Sequence, residues 1–172
     1  MPPKALELGK RRVLYQYILL NPGLHLRALA RDMRLGLGDL RHHLESLESE
    51  GLITTATDGY RKTYFPGRKE FGGDKEVLCL LRQSKPRAIL LLLMNSSELG
   101  FEKLRAHVGV SKSTLSFHLK KLEAAGVLKV EEDSQRKTYS LPDKKKVAEL
   151  LITYRPSFVD AAVDRALEAW LG

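Results

Sequence analysis

The sequence predicts a mostly α-helical protein with small β-hairpins, built from two copies of one small domain. Three observations lead to this prediction: a repeat at a constant offset, helical leucine spacing in each copy, and a strand–turn–strand pattern that follows it. The 172 residues leave room for two small domains. The composition, 43% hydrophobic and 29% charged, is that of a folded globular chain.

The repeat runs without a gap, and each matching residue recurs 75 positions later. The matches include His43-Leu44 with His118-Leu119, Gly51 with Gly126, and Arg61–Tyr64 with Arg136–Tyr139. A unit of this length is too long for a solenoid repeat, so it predicts a duplicated domain. We call residues 1–73 copy one and residues 85–142 copy two. A linker helix at 74–84 is expected to join them, and a helical tail at 143–172 to follow them.

Each copy predicts the same order of elements. The first helix is expected at 8–20 and 85–95, a short second helix at 26–33 and 101–108, a third helix at 37–50 and 112–125, and a hairpin at 52–65 and 127–141. Gly109 suits the positive φ of a helix end, and Ser111 is placed to cap the next helix. The hairpin turns are expected at Asp58-Gly59 and at Asp133-Ser134, because Asp-Gly favours a two-residue turn.

The third helix of copy two has an apolar and a polar face. Leu115, Leu119 and Leu122 fall at i, i+4 and i+7, and we expect them to form a core with Leu104, Val108 and Val110. The other face and its flanks carry Lys112, Ser113, Thr114, Ser116, Phe117, Lys120 and Lys121. A helix fits the major groove, where hydroxyls contact base edges and Phe117 can contact a thymine methyl group. Lysines attract phosphates, and Arg136 and Lys137 of the hairpin would add backbone contacts.

Two segments resemble a known superfamily. Residues 110–127 resemble the recognition-helix signature of winged helix-turn-helix regulators of the ArsR and MarR kind, and residues 21–30 resemble the opening of archaeal regulators with two such domains. The resemblance implies two tandem winged helix-turn-helix domains with small β wings and a C-terminal helical tail. It also implies that the third helix lies in the major groove and that the hairpin is the wing.

Copy one departs from this pattern on its third helix. Arg41 and His42 stand where copy two has Ser116 and Phe117, and Glu45 replaces Lys120. The segment 36–50 has a net charge of −3, whereas 111–121 has +3. Carboxylates that face phosphates oppose binding, so copy two is expected to contact DNA more strongly. Copy one is expected either to contact DNA weakly through Arg41, His42, Arg61 and Lys62, or to bind another protein.

Several functional classes are disfavoured. The sequence has no P-loop, dinucleotide fingerprint or nucleophile elbow, so we expect no enzymatic activity and no cofactor. Cys79 is the only cysteine and is expected to be a buried apolar residue, while the neighbours His42 and His43 point about 100° apart on a helix and chelate poorly. The longest apolar run, 88–94, is too short to cross a bilayer, and the absence of a signal-peptide pattern predicts a cytoplasmic protein.

The C-terminal tail has one apolar stripe, formed by Val159, Val163, Ala166, Leu167 and Trp170, with Asp160, Asp164 and Glu168 opposite. Two alternatives follow: the helix packs on its own domain, or it forms a homodimer.

The formal charge of +8 favours a polyanionic partner. We therefore expect a sequence-specific regulator of transcription that binds double-stranded DNA and acts on the transcription machinery. The alternative is a tandem winged-helix protein-interaction module, whereas duplex RNA is disfavoured because its major groove is too narrow for a helix.

Overall fold

The computed structural model describes residues 4–67, 74–158 and 161–172, with side chains from residue 8 onward. The chain divides into two compact units, Met1–Cys79 (unit 1) and Leu80–Gly172 (unit 2). Each unit combines α-helices with one three-stranded antiparallel sheet. The predicted fold class, mostly helical with small β wings in tandem, is therefore confirmed.

Unit 1 begins with α1 (Lys4–Leu20), β1 (Leu24–His25), α2 (Leu26–Met33) and α3 (Leu37–Ser49). The hairpin of β2 (Ile53–Asp58) and β3 (Arg61–Pro66) follows, and β3 lies between β1 and β2 in the sheet. In this register Leu24 pairs with Tyr64, and Asp58 pairs with Arg61. The next helix, α4 (Asp74–Arg82), begins in unit 1 and ends in unit 2.

Unit 2 has the same order of elements followed by an extension. It contains α5 (Ser84–Met94), β4 (Leu99–Gly100), α6 (Phe101–Val108), α7 (Lys112–Ala124), β5 (Lys129–Glu132) and β6 (Lys137–Ser140). The strand β6 lies between β4 and β5. The extension consists of α8 (Lys144–Thr153), a 3-10 turn (Arg155–Ser157) and α9 (Ala161–Leu171).

The hairpins differ from the expectation in detail. In copy one the two loop residues are Gly59 and Tyr60, not Asp58 and Gly59 as expected. Asp58 still pairs with Arg61 at the end of the strands, and Gly59 adopts the positive φ of 65° that the turn requires. In copy two, β5 ends at Glu132 and β6 begins at Lys137, and Asp133 and Arg136 close the loop between them by exchanging backbone hydrogen bonds (2.9 and 3.4 Å). The Asp133 carboxylate holds this loop by accepting hydrogen bonds from the backbone N–H of Gln135 (2.9 Å) and Arg136 (3.0 Å). The short strands β1 and β4 were not predicted.

The leucine stripes form the cores of the two units. In unit 1, α1, α2, α3 and the sheet share one apolar cluster, made of Leu14, Ile18, Leu29, Leu40, Leu44, Leu47, Ile53 and Tyr64. In unit 2 the predicted core residues Leu104, Val108, Leu115, Leu119 and Leu122 are buried. The prediction was wrong for Val110, which is only half-buried because it lies in the turn between α6 and α7.

The C-terminal stripe is used within unit 2. Val163, Ala166 and Leu167 are buried, and α9 packs against α5 and α8. Trp170 is 37% exposed and Leu171 is 70% exposed at the end of α9, whereas Val159 and Asp160 lie outside the described residues. Cys79 is buried as expected, with its sulfur 3.5 Å from the Thr63 hydroxyl. Within the described residues, no helix is both long and apolar enough to cross a membrane.

Candidate nucleic-acid interface

The turn between α6 and α7 fixes the start of α7. Gly109 ends α6 in the left-handed region, at φ 66°, and its N–H donates to the Arg105 carbonyl at 3.0 Å. Ser111 then caps α7, because its hydroxyl oxygen accepts a hydrogen bond from the Thr114 N–H at 3.2 Å. Both predicted capping roles are therefore confirmed. The buried leucines behind α7 hold its opposite face toward solvent.

The outward face of α7 carries most of the side chains that the sequence singled out. Lys112, Ser113 and Lys120 are exposed, Phe117 is 58% exposed, and Thr114, Ser116 and Lys121 are partly buried. The Lys121 ammonium lies 5.6 Å from the Phe117 ring centroid. This cation–π contact orients the Phe117 ring, a large apolar group that is uncommon at a solvent-facing position.

The hydroxyl groups at the start of α7 are not equivalent. The Ser111 oxygen lies 3.0 Å from the Ser113 hydroxyl and 2.8 Å from the Thr114 hydroxyl, so both belong to the capping network. Ser116 has no hydrogen-bond partner for its hydroxyl within the described ranges. Of these side chains, Ser116 is therefore the one with an unused donor and acceptor for a base edge.

The cations on α7 differ in how far nearby acids neutralise them. The Lys112 ammonium lies 3.6 Å from the Glu102 carboxylate, which also accepts from Arg105 at 2.8 Å. The hydrogen bond from Arg105 and the charges of Arg105 and Lys112 lower the pKa of Glu102. Lys120 forms no ion pair with any described residue. Lys120 is consequently the cation on this face that is most available to a phosphate.

The unit 2 wing is less basic than expected. Lys137 lies 3.2 Å from Glu132, and Lys129 lies 2.7 Å from Glu131. Arg136 is exposed and has no ion-pair partner in the part of the chain that the structure describes. The positive charge that this wing can offer therefore depends on Arg136.

The corresponding helix of unit 1 starts without a side-chain cap. Its N-cap residue is Gly36, and the preceding α2 ends at Arg34, which adopts a left-handed φ of 55°. Arg41, His42 and Glu45 are exposed on this helix. The structure thus places Arg41 and His42 at the surface, but on a helix whose exposed face also carries carboxylates.

Of the two cations on the unit 1 wing, Arg61 and Lys62, Lys62 already forms an ion pair within the protein. The Lys62 ammonium donates to the Glu48 carboxylate at 2.7 Å, and Thr55 donates to the same carboxylate at 3.0 Å. These hydrogen bonds lower the pKa of Glu48, and the Glu48 carboxylate raises the pKa of Lys62. Arg61 is exposed and has no ion-pair partner among the described residues.

Unit 1 also contains a cleft that sequence reasoning missed. It has a volume of about 860 Å3 and lies between α3 and the hairpin. Its lining includes four polar or aromatic side chains that were not among the predicted site residues: His25, Arg27, Tyr60 and Tyr64. Arg27 and Arg61 are far apart in sequence, but the pairing of β1 with β3 brings them to the same edge of the cleft. The signal available in the sequence was arginine at positions 27 and 41, where copy two has Glu102 and Ser116, whereas Arg61 recurs as Arg136.

A histidine occupies the same position in both copies, behind the exposed helix face. His43 is 4% exposed and His118 is partly buried, and in each the Nδ1 atom has no hydrogen-bond partner among the described atoms. Burial lowers the pKa of both imidazoles, and nearby cations lower it further. The burial of His43 and His118 agrees with the packing role expected for these two histidines. The described residues contain no cluster of three or more metal-ligating side chains.

The helix–turn–helix and hairpin in each unit define a tandem winged helix-turn-helix protein. Residues 9–74 match a family model described as an N-terminal HTH domain, and residues 83–130 match the model for bacterial regulatory proteins of the arsR family. Neither description names an enzyme. The expected resemblance to tandem helix-turn-helix regulators is thereby confirmed.

One relative and two solved structures extend this comparison. The uncharacterized HTH-type transcriptional regulator MJ1398 of Methanocaldococcus jannaschii is 32% identical over 136 residues, which cover 79% of this chain and 34% of the relative. The chain therefore spans about a third of that relative's length. HlyU from Vibrio cholerae is 27% identical and covers 49% of this chain and 92% of its own, with a TM-score of 0.43. NolR from Sinorhizobium fredii is 30% identical and covers 46% of this chain and 80% of its own, with a TM-score of 0.41.

Proposed function

We propose that the protein is a sequence-specific transcriptional regulator that binds double-stranded DNA, mainly through α7. The observation that carries the proposal is a capped helix with Lys112, Ser116, Phe117 and Lys120 on its outward face and leucines buried behind it. A helix of this kind fits the major groove of B-form DNA. The family matches and the regulator relative support the same function.

The proposed contacts fall into two kinds. Lys112, Lys120 and Lys121 neutralise phosphates, and Arg136 and Lys137 of the wing contact the flanking backbone. Ser116 and Phe117 contact base edges, the first by a hydrogen bond and the second against a thymine methyl group. The hydroxyls of Ser113 and Thr114 contribute less, because the capping network already uses them.

The proposal is tested by measuring binding of a duplex library to the full chain at several salt concentrations. Changing Lys120 and Lys121 to Glu should weaken binding to all sequences at least ~10-fold and reduce the slope of log affinity against log salt. Lys145→Glu with Arg165→Glu, an equal total charge change at exposed positions of α8 and α9, is the control and should have a small effect. Equal losses from both would contradict a specific role for α7.

A second measurement separates sequence preference from affinity. Ser116→Ala and Phe117→Ala should change which duplexes are selected from the library, because they remove contacts to base edges. Both side chains are at least partly exposed, so the fold should be retained. Unchanged selection by both variants would show that α7 does not contact base edges with these residues.

The alternative of a protein-interaction module is favoured by the acidic exposed face of α3. Asp39 and Glu45 are exposed there, and a polyanion would be repelled. The full chain would then show weak DNA binding with a shallow salt dependence, and a basic protein partner would bind α3. Recruitment of the transcription machinery by unit 1 is one form of this role.

The proposal includes a homodimer through the exposed end of α9. Trp170 and Leu171 lie there, whereas Val163, Ala166 and Leu167 are buried within unit 2. Leu171→Glu should shift the chain to a monomer in light scattering if this end forms the interface. This substitution is more informative than removal of the tail, which would expose the core around Val163 and Leu167.

A further inference from the structure

The cleft in unit 1 is large enough to hold a small molecule. It is bounded by α3 on one side and by the hairpin and the start of α2 on the other. Its volume of about 860 Å3 lies within the range of small-molecule sites, and the cleft is open to solvent on one side. The lining is polar as well as apolar, since Leu26, Leu44 and Tyr64 lie among charged side chains.

Three arginines line this cleft without a carboxylate partner. Arg27, Arg41 and Arg61 are exposed, and none of them forms an ion pair with a described residue. Burial lowers the pKa of His25, and the charges of Arg61 and Arg27 lower it further. The three arginines come from α2, α3 and β3 and line the same cleft. Guanidinium groups bind phosphate oxygens with paired hydrogen bonds.

Aromatic groups stand beside the arginines. Tyr60 is 98% exposed in the hairpin loop, so its ring face has little contact with the protein. His25 accepts a hydrogen bond from the Ala28 N–H at Nδ1 (3.2 Å), which leaves its Nε2–H as a donor. An exposed ring at the rim of an arginine-lined cleft suits stacking on a planar base.

The acidic residues select against an extended polyanion. Glu48 is occupied by Lys62 and Thr55, but Glu45 forms no ion pair within the described ranges and can accept a hydrogen bond from a hydroxyl or amino group. Asp39 lies on the same helix and is exposed. A duplex that runs along α3 would meet both free carboxylates, whereas a compact anion needs to contact only the arginine-lined cleft.

The equivalent positions of unit 2 do not repeat this arrangement. Glu102 stands in place of Arg27, Ser116 in place of Arg41, and Gly100 in place of His25. Gln135 occupies the position of Tyr60. The combination of three arginines with an imidazole and an exposed ring thus belongs to copy one.

We infer that the unit 1 cleft binds a compact phosphorylated ligand of the nucleotide class. Arg27, Arg41 and Arg61 bind its phosphates, Tyr60 stacks on its base, and Glu45 accepts a hydrogen bond from its sugar or base. This site is separate from the proposed DNA contact of α7, so the protein has one surface for DNA and another for a small ligand.

The inference is tested by calorimetric titration of the full chain with inorganic pyrophosphate and, separately, with adenosine triphosphate. Both should bind, and the nucleotide should bind more tightly because of the stacking. Changing Arg27 and Arg61 to Gln should weaken the binding of both probes ~100-fold, about tenfold for each lost charged contact. Arg12→Gln, an exposed arginine on α1 outside the cleft, is the matched control and should change neither affinity.

Further variants separate the parts of the inference. Tyr60→Ala should weaken nucleotide binding but leave pyrophosphate binding unchanged. Lys112→Glu with Lys120→Glu should leave nucleotide binding intact even if DNA binding is lost, so failure of the DNA proposal is distinguished from failure of this one. The imidazole signal of His25 should show a raised pKa when pyrophosphate is bound, because the anion offsets the nearby guanidinium charges.

Three results would overturn the inference. The first is no binding of either probe at about 10 mM, a concentration that detects even very weak sites. The second is equal affinity of the Arg27/Arg61 variant and the parent chain for both probes. The third is a loss of duplex DNA binding alone in that variant, which would assign the cleft to the DNA contact. Equal affinity for pyrophosphate and nucleotide would overturn the nucleotide class.

Discussion

The two copies share a core but differ in the helix that each presents to solvent. In unit 2, Ser111 caps α7 and Gly109 supplies the left-handed residue before it. In unit 1, the same two positions are held by Gly36 and Arg34, so α3 starts without a side-chain cap and after a strained residue. The two copies therefore share a packing pattern, whereas only α7 has a side-chain cap and a glycine at the left-handed position before it.

The exposed charges of α7 and α3 also differ between the two copies. The outward face of α7 offers Lys120, which forms no ion pair with a described residue, whereas α3 has Glu45 at the equivalent position. Three arginines of unit 1 without an ion-pair partner among the described residues, Arg27, Arg41 and Arg61, line the cleft, and of these only Arg41 lies on α3. A continuous basic helix suits a duplex, and a local group of arginines suits a compact anion.

The largest expected effect concerns DNA affinity. Lys112→Glu with Lys120→Glu in unit 2 should weaken duplex binding ~100-fold, because two charged contacts become repulsive. The matched pair in unit 1, Arg41→Glu with Arg61→Glu, should weaken it less than about fivefold. Fluorescence anisotropy with a labelled duplex at fixed salt measures both. Similar losses for the two pairs would remove the functional asymmetry between the copies.

The next effect concerns the left-handed residue before the exposed helix. Gly109→Ala should destabilise unit 2 by about 1–2 kcal/mol, because φ 66° disfavours a Cβ even though no atom lies within 4 Å of it. Arg34→Gly should stabilise unit 1 by about 0.5 kcal/mol, since relief of strain exceeds the entropy cost of glycine. Urea unfolding followed by resolved amide signals from each unit measures both changes. Opposite signs are expected, and equal signs would contradict this difference between the units.

A smaller effect is expected at the helix caps. Ser111→Ala should destabilise unit 2 by about 1 kcal/mol, because Thr114 loses the acceptor for its N–H. Gly36→Ser should stabilise α3 by only a few tenths of a kcal/mol, since glycine is itself a tolerable N-cap. Hydrogen exchange at the first turn of each helix provides the measurement. If Ser111→Ala left the exchange of the first turn of α7 unchanged, the capping hydrogen bond would have no energetic role.

The smallest expected effect is a difference in acid sensitivity. Burial lowers the pKa of His43 in unit 1 and of His118 in unit 2, and burial and nearby arginines lower the pKa of His25 in unit 1. The unfolded-state pKa of histidine is about 6.5, and the folded-state pKa of these groups lies below it. The stability that each neutral imidazole contributes is therefore fully present above about pH 6.5, and it is lost as the pH falls from there through the lowered pKa. Unit 1, with two such groups, should therefore lose more stability between pH 7.5 and 5.5.

The control for the acid effect is His25→Asn, which keeps an N-cap acceptor for the Ala28 N–H but does not titrate. This variant should bring the pH dependence of unit 1 closer to that of unit 2 in unit-resolved urea unfolding. If unit 2 proved the more acid-sensitive of the two, the burial of these imidazoles would not control the response.

The helices could be predicted from the sequence because their signals are local. Leucines at helical spacing, Gly109 and Ser111 placed α6 and α7 within about one residue. The strands β1 and β4 could not be predicted, because two residues carry no alternation and their pairing with β3 and β6 depends on contacts distant in sequence. The half-burial of Val110 could not be predicted either, because it depends on where the turn between α6 and α7 lies in the tertiary structure.

The candidate site was predictable where it lies on one helix and unpredictable where several elements meet. The outward positions of Lys112, Phe117 and Lys120 follow from helical geometry alone. The pairing of Lys62 with Glu48 and of Lys137 with Glu132 depends on how the hairpin folds, so the sequence overstated the free charge of both wings. The cleft required the convergence of Arg27, Arg41 and Arg61 from three elements.

The short strand β1 couples parts of unit 1 that would otherwise move separately. Leu24 and His25 pair with Tyr64 and Thr63 of the hairpin, and α2 begins at the next residue, Leu26. The backbone hydrogen bonds of β1 therefore join the hairpin directly to the first turn of α2. A molecule bound to the hairpin is thus only two residues of extended backbone away from the helix-turn-helix motif.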